Sequence, residues 1–199
     1  MAQSAAPESI RILALGDSLT AGYGLGPGQS FADQLQALLL AEGAQVQVIN
    51  AGVSGDTSAG GLARLDWLLS DPQGGPDIAL VELGANDGLQ GLEPSRMQAN
   101  LDAIVARLKE SGALVLLCGI KALPNFGPDY AEAFQAAFQS VAAKHAIPLH
   151  SAFLQDVLSH PELLQPDGLH PNRAGTEVVA KGALPHVRNL VQKLQLSQP

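Results

Sequence analysis

Five short apolar runs punctuate this chain of 199 residues, at 9–16, 46–52, 78–84, 113–119 and 147–153, and longer segments with helical spacing lie between them. No other feature narrows the fold as far. A brief apolar run bounded by glycine fits a strand buried on both faces. The intervening segments repeat apolar residues every three or four positions: Met97, Leu101, Ile104 and Leu108 between Pro94 and Gly112, then Tyr130, Phe134, Phe138 and Val141. Proline suits a first helical turn, where its missing N–H would have no partner, and glycine suits the position just past the end. Strand and helix alternate throughout, which predicts an α/β fold: a five-stranded parallel sheet with helices on both faces, a flavodoxin-like three-layer sandwich. The order 2-1-3-4-5 is expected because it is common among small doubly wound sheets.

That architecture gives the motifs a common address. Ligands in such sheets bind beyond the carboxyl ends of the strands, near the reversal of strand order. Gly16-Asp17-Ser18 follows the first run, Ser54-Gly55-Asp56-Thr57 the second, Gly84-Ala85-Asn86-Asp87 the third, and Asp167-Gly168-Leu169-His170 lies beyond the fifth. A serine, an aspartate and a histidine in that chain order suggest a hydrolase. Serine is a weak nucleophile unless an imidazole takes its proton and a carboxylate orients the imidazole. Placing Asp167 and His170 three apart lets one turn supply both. The oxyanion formed during acyl transfer needs preorganised donors, and the backbone N–H groups of Ser18 and Gly55 with the side-chain amide of Asn86 offer three.

The segments Gly16-Asp17-Ser18-Leu19-Thr20-Ala21-Gly22-Tyr23-Gly24, Gly55-Asp56-Thr57-Ser58, Val81-Glu82-Leu83-Gly84-Ala85-Asn86-Asp87-Gly88-Leu89 and Asp167-Gly168-Leu169-His170-Pro171-Asn172 together resemble the SGNH (GDSL-type) hydrolases, over nearly the whole chain. Within that family the likeness is to the bacterial periplasmic thioesterase, lysophospholipase and arylesterase group. The resemblance implies Ser18 as nucleophile, His170 as general base and acid, Asp167 as its orienter, and Ser18, Gly55 and Asn86 as the oxyanion hole. It implies that Asp17 and Asp87 support the site without taking part in the chemistry. Ala85 stands where many relatives have a second glycine, and the segment 84–92, with Leu89 and Leu92, resembles a mobile loop that adapts to the acyl chain. Leu123 and Phe126, in an apolar loop after the fourth run, are candidates for the acyl pocket, with simple packing as the other reading.

The expected substrates are carboxylic esters, aryl esters with short to medium acyl chains among them, and acyl thioesters. Lysophospholipase or acyl-CoA thioesterase action as the main activity is the alternative. A second class, a phosphate- or nucleotide-binding module, would use the first glycine-containing loop, but Asp17 would repel a phosphate there and no lysine follows. A third, a metal hydrolase holding its ion through Asp167 and His170, lacks further ligands at close spacing. No cofactor or metal is expected.

Composition excludes other classes. The net charge of −8 and the lack of a basic cluster argue against nucleic acid and against anionic membrane. No run is long enough to span a bilayer, and the size suits one domain, 1–199, acting as a monomer. Residues 1–8 are small and polar; they read as a flexible arm and resemble the stub left by a removed signal peptide, which with the family likeness points to a periplasmic or secreted protein rather than a cytoplasmic one. Cys118, the one cysteine, reads as a buried apolar residue. His145, His150 and His160 read as surface or capping residues, His186 as solvated, Arg64 and Asp66 as an exposed charged face, and Trp67 as core. Pro185 should kink or break the last helix.

Overall fold

The computed structural model describes residues 9–122 and 124–197. Its sheet is built from β1 (Ile10–Gly16), β2 (Val46–Gly52), β3 (Ile78–Glu82), β4 (Leu114–Cys118) and β5 (Leu149–His150). All pairings are parallel and the order is β2-β1-β3-β4-β5, as expected. Successive strand residues point to opposite faces, so one sheet feeds two cores. Ile12, Ile78, Leu80 and Leu116 pack with residues of α2 (Phe31–Ala41) and α8 (Arg173–Ser197). Leu13, Leu15, Val81 and Leu117 pack on the other side with α3 (Ser58–Leu69), α5 (Pro94–Glu110) and α6 (Pro128–His145). This is the anticipated three-layer sandwich. Every residue of β3 is buried, which explains why its run shows no polar alternation.

The helices begin and end where local chemistry dictates. Pro94 opens α5, whose buried stripe is Met97, Leu101, Ile104, Val105 and Leu108. Ser30 caps α2 by accepting from the Asp33 N–H while the Asp33 carboxylate accepts from the Ser30 N–H, a reciprocal pair that satisfies otherwise orphaned donors.

Several expectations need correction. The fifth strand is only Leu149–His150, because Pro148 has no N–H to extend an edge strand and the chain turns at Ser151. Trp67 is 76% exposed; the buried stripe of α3 runs through Ser58, Gly61 and Leu65, and Trp67 falls off it. Helix α8 continues through Pro185. His186 is half-buried, its ring 4.8 Å from that of His150. Cys118, by contrast, is fully buried as expected, and burial pushes its thiol above the usual range.

Candidate active site

At the end of β1 the chain must turn sharply against its neighbours. A Cβ on Gly16 would lie 2.0 Å from Thr20 Oγ1, so only glycine fits. Asp17 then caps the short helix α1 (Ser18–Ala21), its Oδ1 accepting from the Leu19 N–H at 3.0 Å. That bond leaves the Ser18 N–H, at the first helical position, without an intrahelical partner. Ser18 is thereby held on a helical turn at the carboxyl edge of the sheet.

The loop beyond α7 (Gln155–Leu158) supplies the partners. Asp167 Oδ1 accepts from the Leu169 and His170 N–H groups at 2.9 and 3.0 Å, which fixes the carboxylate. Its Oδ2 lies 2.7 Å from His170 Nδ1, and His170 Nε2 lies 2.9 Å from Ser18 Oγ. A carboxylate can only accept, so Nδ1 carries the ring proton and Nε2 is left to accept from the serine hydroxyl. The two backbone N–H groups and the imidazole hold Asp167 at a pKa of about 2, well below the ordinary range. Tyr23 covers the imidazole, the ring centroids 4.6 Å apart. Gln165 Nε2 donates to Tyr23 O at 2.7 Å and to Pro171 O at 3.0 Å, tying the two loops together.

Asn86 and Gly55 meet across the same edge. Residues 85–89, expected as part of a mobile loop, form a short helix, α4 (Ala85–Leu89), entered through Gly84 at φ 122°. Asp87 Oδ2 accepts from the Ser58 N–H and Oδ1 from the Ser58 hydroxyl, at 2.7 and 2.6 Å, joining α4 to α3. Asn86 Nδ2 donates to Asp56 O at 2.8 Å and to Asp17 Oδ2 at 3.1 Å. Its two amide protons therefore already have acceptors, and an oxyanion would have to share one. No group among the described residues accepts from the Gly55 N–H. Arg64, expected on an exposed face, instead reaches inward: Nε donates to Asp56 Oδ2 and Nη2 to Gly16 O, bracing the loop after β2 against the end of β1. Asp66 is the exposed member, paired with Arg107.

Ser18, Gly55, Asn86 and His170 line a cavity of about 290 Å³ whose walls are apolar, with Leu19, Leu89, Ile120, Phe134, Leu154 and Leu158 among them. Leu89 is thus placed in the lining. Leu92 and Phe126 are exposed and do not line it; Phe126 packs on Tyr130 and under Gly91. Leu123 lies outside the described residues. Sequence reading missed Ile120, Leu154, Leu158, Tyr23 and the bracing by Arg64. The run Leu154–Leu158 held a faint signal, two leucines four apart beside the last strand.

Behind Ser18 sits an acid the motifs did not single out. Glu82 ends β3, is 1% exposed, and accepts from Thr20 Oγ1 at 2.8 Å, while its Oε1 has no partner. Burial, reinforced by the nearby Asp17 charge, holds its carboxyl well above the usual range, and burial pushes Asp17 up to about 6. Native pKa values above the unfolded ones mean stability that is full below the unfolded values and lost as pH rises through the native ones. Glu82→Gln should therefore raise the melting temperature at pH 8 relative to wild type by about 3 °C more than it does at pH 5. Melts at both pH values test this; an equal difference at each would mean that Glu82 binds no extra proton on folding.

A parallel α/β sheet with a Ser–His–Asp chain of hydrogen bonds at its carboxyl edge defines a hydrolase-like protein class. The chain belongs to the GDSL-like lipase/acylhydrolase family, whose model matches residues 14–178. It is 42% identical to an arylesterase of Vibrio mimicus over 84% of this chain and 83% of that protein. It is 39% identical to the thioesterase 1/protease 1/lysophospholipase L1 of Escherichia coli strain K12, over 90% and 84%. The crystal structure of TesA superposes with a TM-score of 0.85 at 40% identity, covering 90% of this chain and 99% of that one. Among the described residues no helix is long and apolar enough to cross a membrane.

Proposed function

We propose that the protein hydrolyses carboxylic esters and acyl thioesters through an acyl-enzyme on Ser18. The observation that carries this reading is the continuous chain from Asp167 through His170 to Ser18 Oγ, opening into an apolar cavity. Ser18 Oγ attacks the carbonyl carbon as its proton passes to His170 Nε2. Charge develops on the carbonyl oxygen, facing the Ser18 and Gly55 N–H groups and Asn86 Nδ2. The tetrahedral intermediate collapses, breaking the bond to the alcohol or thiol, which leaves with the proton from Nε2. Water then repeats the sequence on the acyl group, His170 taking its proton, and the acid departs with Ser18 restored. Asp17 and Asp87 position this machinery, the first through the α1 cap and Asn86, the second through Ser58.

Leu89 with the other apolar walls receives the acyl chain. Aryl esters with short to medium acyl chains are the leading substrates, in keeping with the arylesterase relative. Lysophospholipid or acyl-CoA thioester hydrolysis as the main activity is the alternative that the Escherichia coli relative favours. Matched acyl groups on aryl, thiol and lysophospholipid leaving groups, compared by kcat/KM, separate the two. A periplasmic or secreted monomer completes the reading; with its one thiol, Cys118, wholly buried, the chain tolerates an oxidising compartment.

The direct test is mass spectrometry after treatment with a serine-reactive phosphonate, with the adduct expected on Ser18 and turnover of a nitrophenyl ester lost in proportion. An adduct elsewhere, or labelling without loss of turnover, overturns the assignment. Asn86→Ala should lower kcat about a hundredfold, the low end for such donors because this amide is already shared with Asp17 and Asp56. A rise in KM with kcat untouched would remove Asn86 from the oxyanion hole.

A further inference from the structure

The apolar cavity has one cationic neighbour that the hydrolytic reading does not use. Lys121 follows β4 by three residues, is exposed, and lines the cavity together with Ile120 and Ala122. It also lines a second groove, of about 450 Å³, formed with Ala122, Ala131, Gln135, Gln139, Ser151 and Gln155. Lys121 and Ala122 are common to both, so the apolar cavity that ends on Ser18 and this polar groove adjoin across them. A lysine suits that boundary, because its aliphatic stem packs on apolar surface while its ammonium remains in a wet one.

The groove's chemistry is one-sided. Ala131, Gln135 and Gln139 are spaced by four on α6 and present one face, and Gln155 opens α7 opposite. The three glutamine side chains and the Ser151 hydroxyl have no hydrogen-bond partner among the described residues, and Lys121 has no acidic partner among them. No carboxylate lines the groove; Glu132 and Asp156, the acids next in sequence to Ala131 and Gln155, lie outside its lining. In a chain with 19 acidic and 11 basic residues, a groove holding a lysine and no acid runs against the overall charge. Three amides and a hydroxyl around one ammonium supply several donors and one positive charge, the complement of an oxygen-rich anion.

We infer that Lys121, Gln135, Gln139, Ser151 and Gln155 form an anion subsite adjoining the acyl cavity, which selects substrates carrying a carboxylate or phosphate at the end remote from the reacting carbonyl. The inference rests on the ester-hydrolase reading for its catalytic consequence but not for its binding consequence. An anion at the end of the acyl chain and one on the alcohol share this chemistry, and substrate pairs distinguish them. The first pair is para-nitrophenyl hydrogen suberate against para-nitrophenyl methyl suberate. The second is the octanoyl ester of ethylene glycol monophosphate against the octanoyl ester of ethylene glycol.

In one pair wild type should favour the anionic member in kcat/KM. Lys121→Met should lower that preference about fivefold, the scale of a partly solvated ion pair. Lys121→Glu should lower it further, to beyond about tenfold, because repulsion replaces attraction, and added salt should weaken the wild-type preference. The pair that responds identifies the side of the substrate bearing the anion. An anionic-to-neutral ratio that Lys121→Glu leaves unchanged in both pairs overturns the inference. Calorimetric titration with octyl phosphate keeps the two readings apart: weaker binding to Lys121→Glu than to wild type supports the subsite even if no ester is hydrolysed. Equal affinity for both proteins overturns it even if every ester is.

Discussion

Ser18→Ala should lower ester turnover by about 10⁴-fold or more, with the folded structure retained. Only one oxygen is removed, and alanine is at home in a first helical turn. The bond from Ser18 Oγ to His170 Nε2 is lost, but His170 is still held by Asp167 and covered by Tyr23, so the site keeps its shape around the missing atom. The melting temperature should stay within about 2 °C of wild type, as for substitutions outside the core. Turnover and melts on the same preparations decide the matter. Residual activity within tenfold of wild type would falsify the nucleophile assignment.

Asp167→Asn should cost about 10³–10⁴-fold in kcat, although the new side chain has the same shape. The reason lies in the two backbone bonds. Oδ1 of Asp167 accepts from the Leu169 and His170 N–H groups, so in asparagine the carbonyl oxygen must occupy that place. The amide nitrogen is then turned toward His170 Nδ1, where a donor meets a donor unless the ring proton moves to Nε2. A proton on Nε2 leaves nothing to accept from Ser18. Because Asp167 is held at about 2 in wild type, its own titration plays no part in the pH profile near neutrality, and the variant should be slow at every pH. Near-normal turnover across the pH range would mean that something other than Asp167 orients the base.

Much of this was legible in the residues because it obeys local rules. The period of the apolar runs located the strands and the stripes of α5 and α6, and glycine at the end of β1 marked the turn that bears Ser18. The pieces of the site were visible as motifs because each sits in one short loop. What escaped was non-local. Arg64 reads as a surface charge from its own helix, and only the folded chain brings Asp56 and Gly16 O within its reach. Trp67 reads as core by residue type, yet its angular position on α3 turns it outward. Ile120, Leu154 and Leu158 line the cavity from segments that carry no motif, because a wall needs only bulk and apolarity. Segment 84–92 reads as a glycine-rich loop, whereas the bonds from Asp87 to Ser58 seat part of it as a helix.

Part of the apolar wall stands apart from the hydrogen-bonded chain of Ser18, His170 and Asp167. Ser18, Asn86 and His170 are fixed by bonds among the loops after β1, β2, β3 and α7. Leu154 and Leu158 reach the cavity from the short segment between β5 and the histidine loop, where their side chains carry no part of that network. Leu154 is also buried in the core, whereas Leu158 is half-exposed, so a change at Leu158 touches neither the core nor those bonds. On the proposed reading, a lineage built on this plan can drift among acyl donors by trading one apolar side chain for another at that wall.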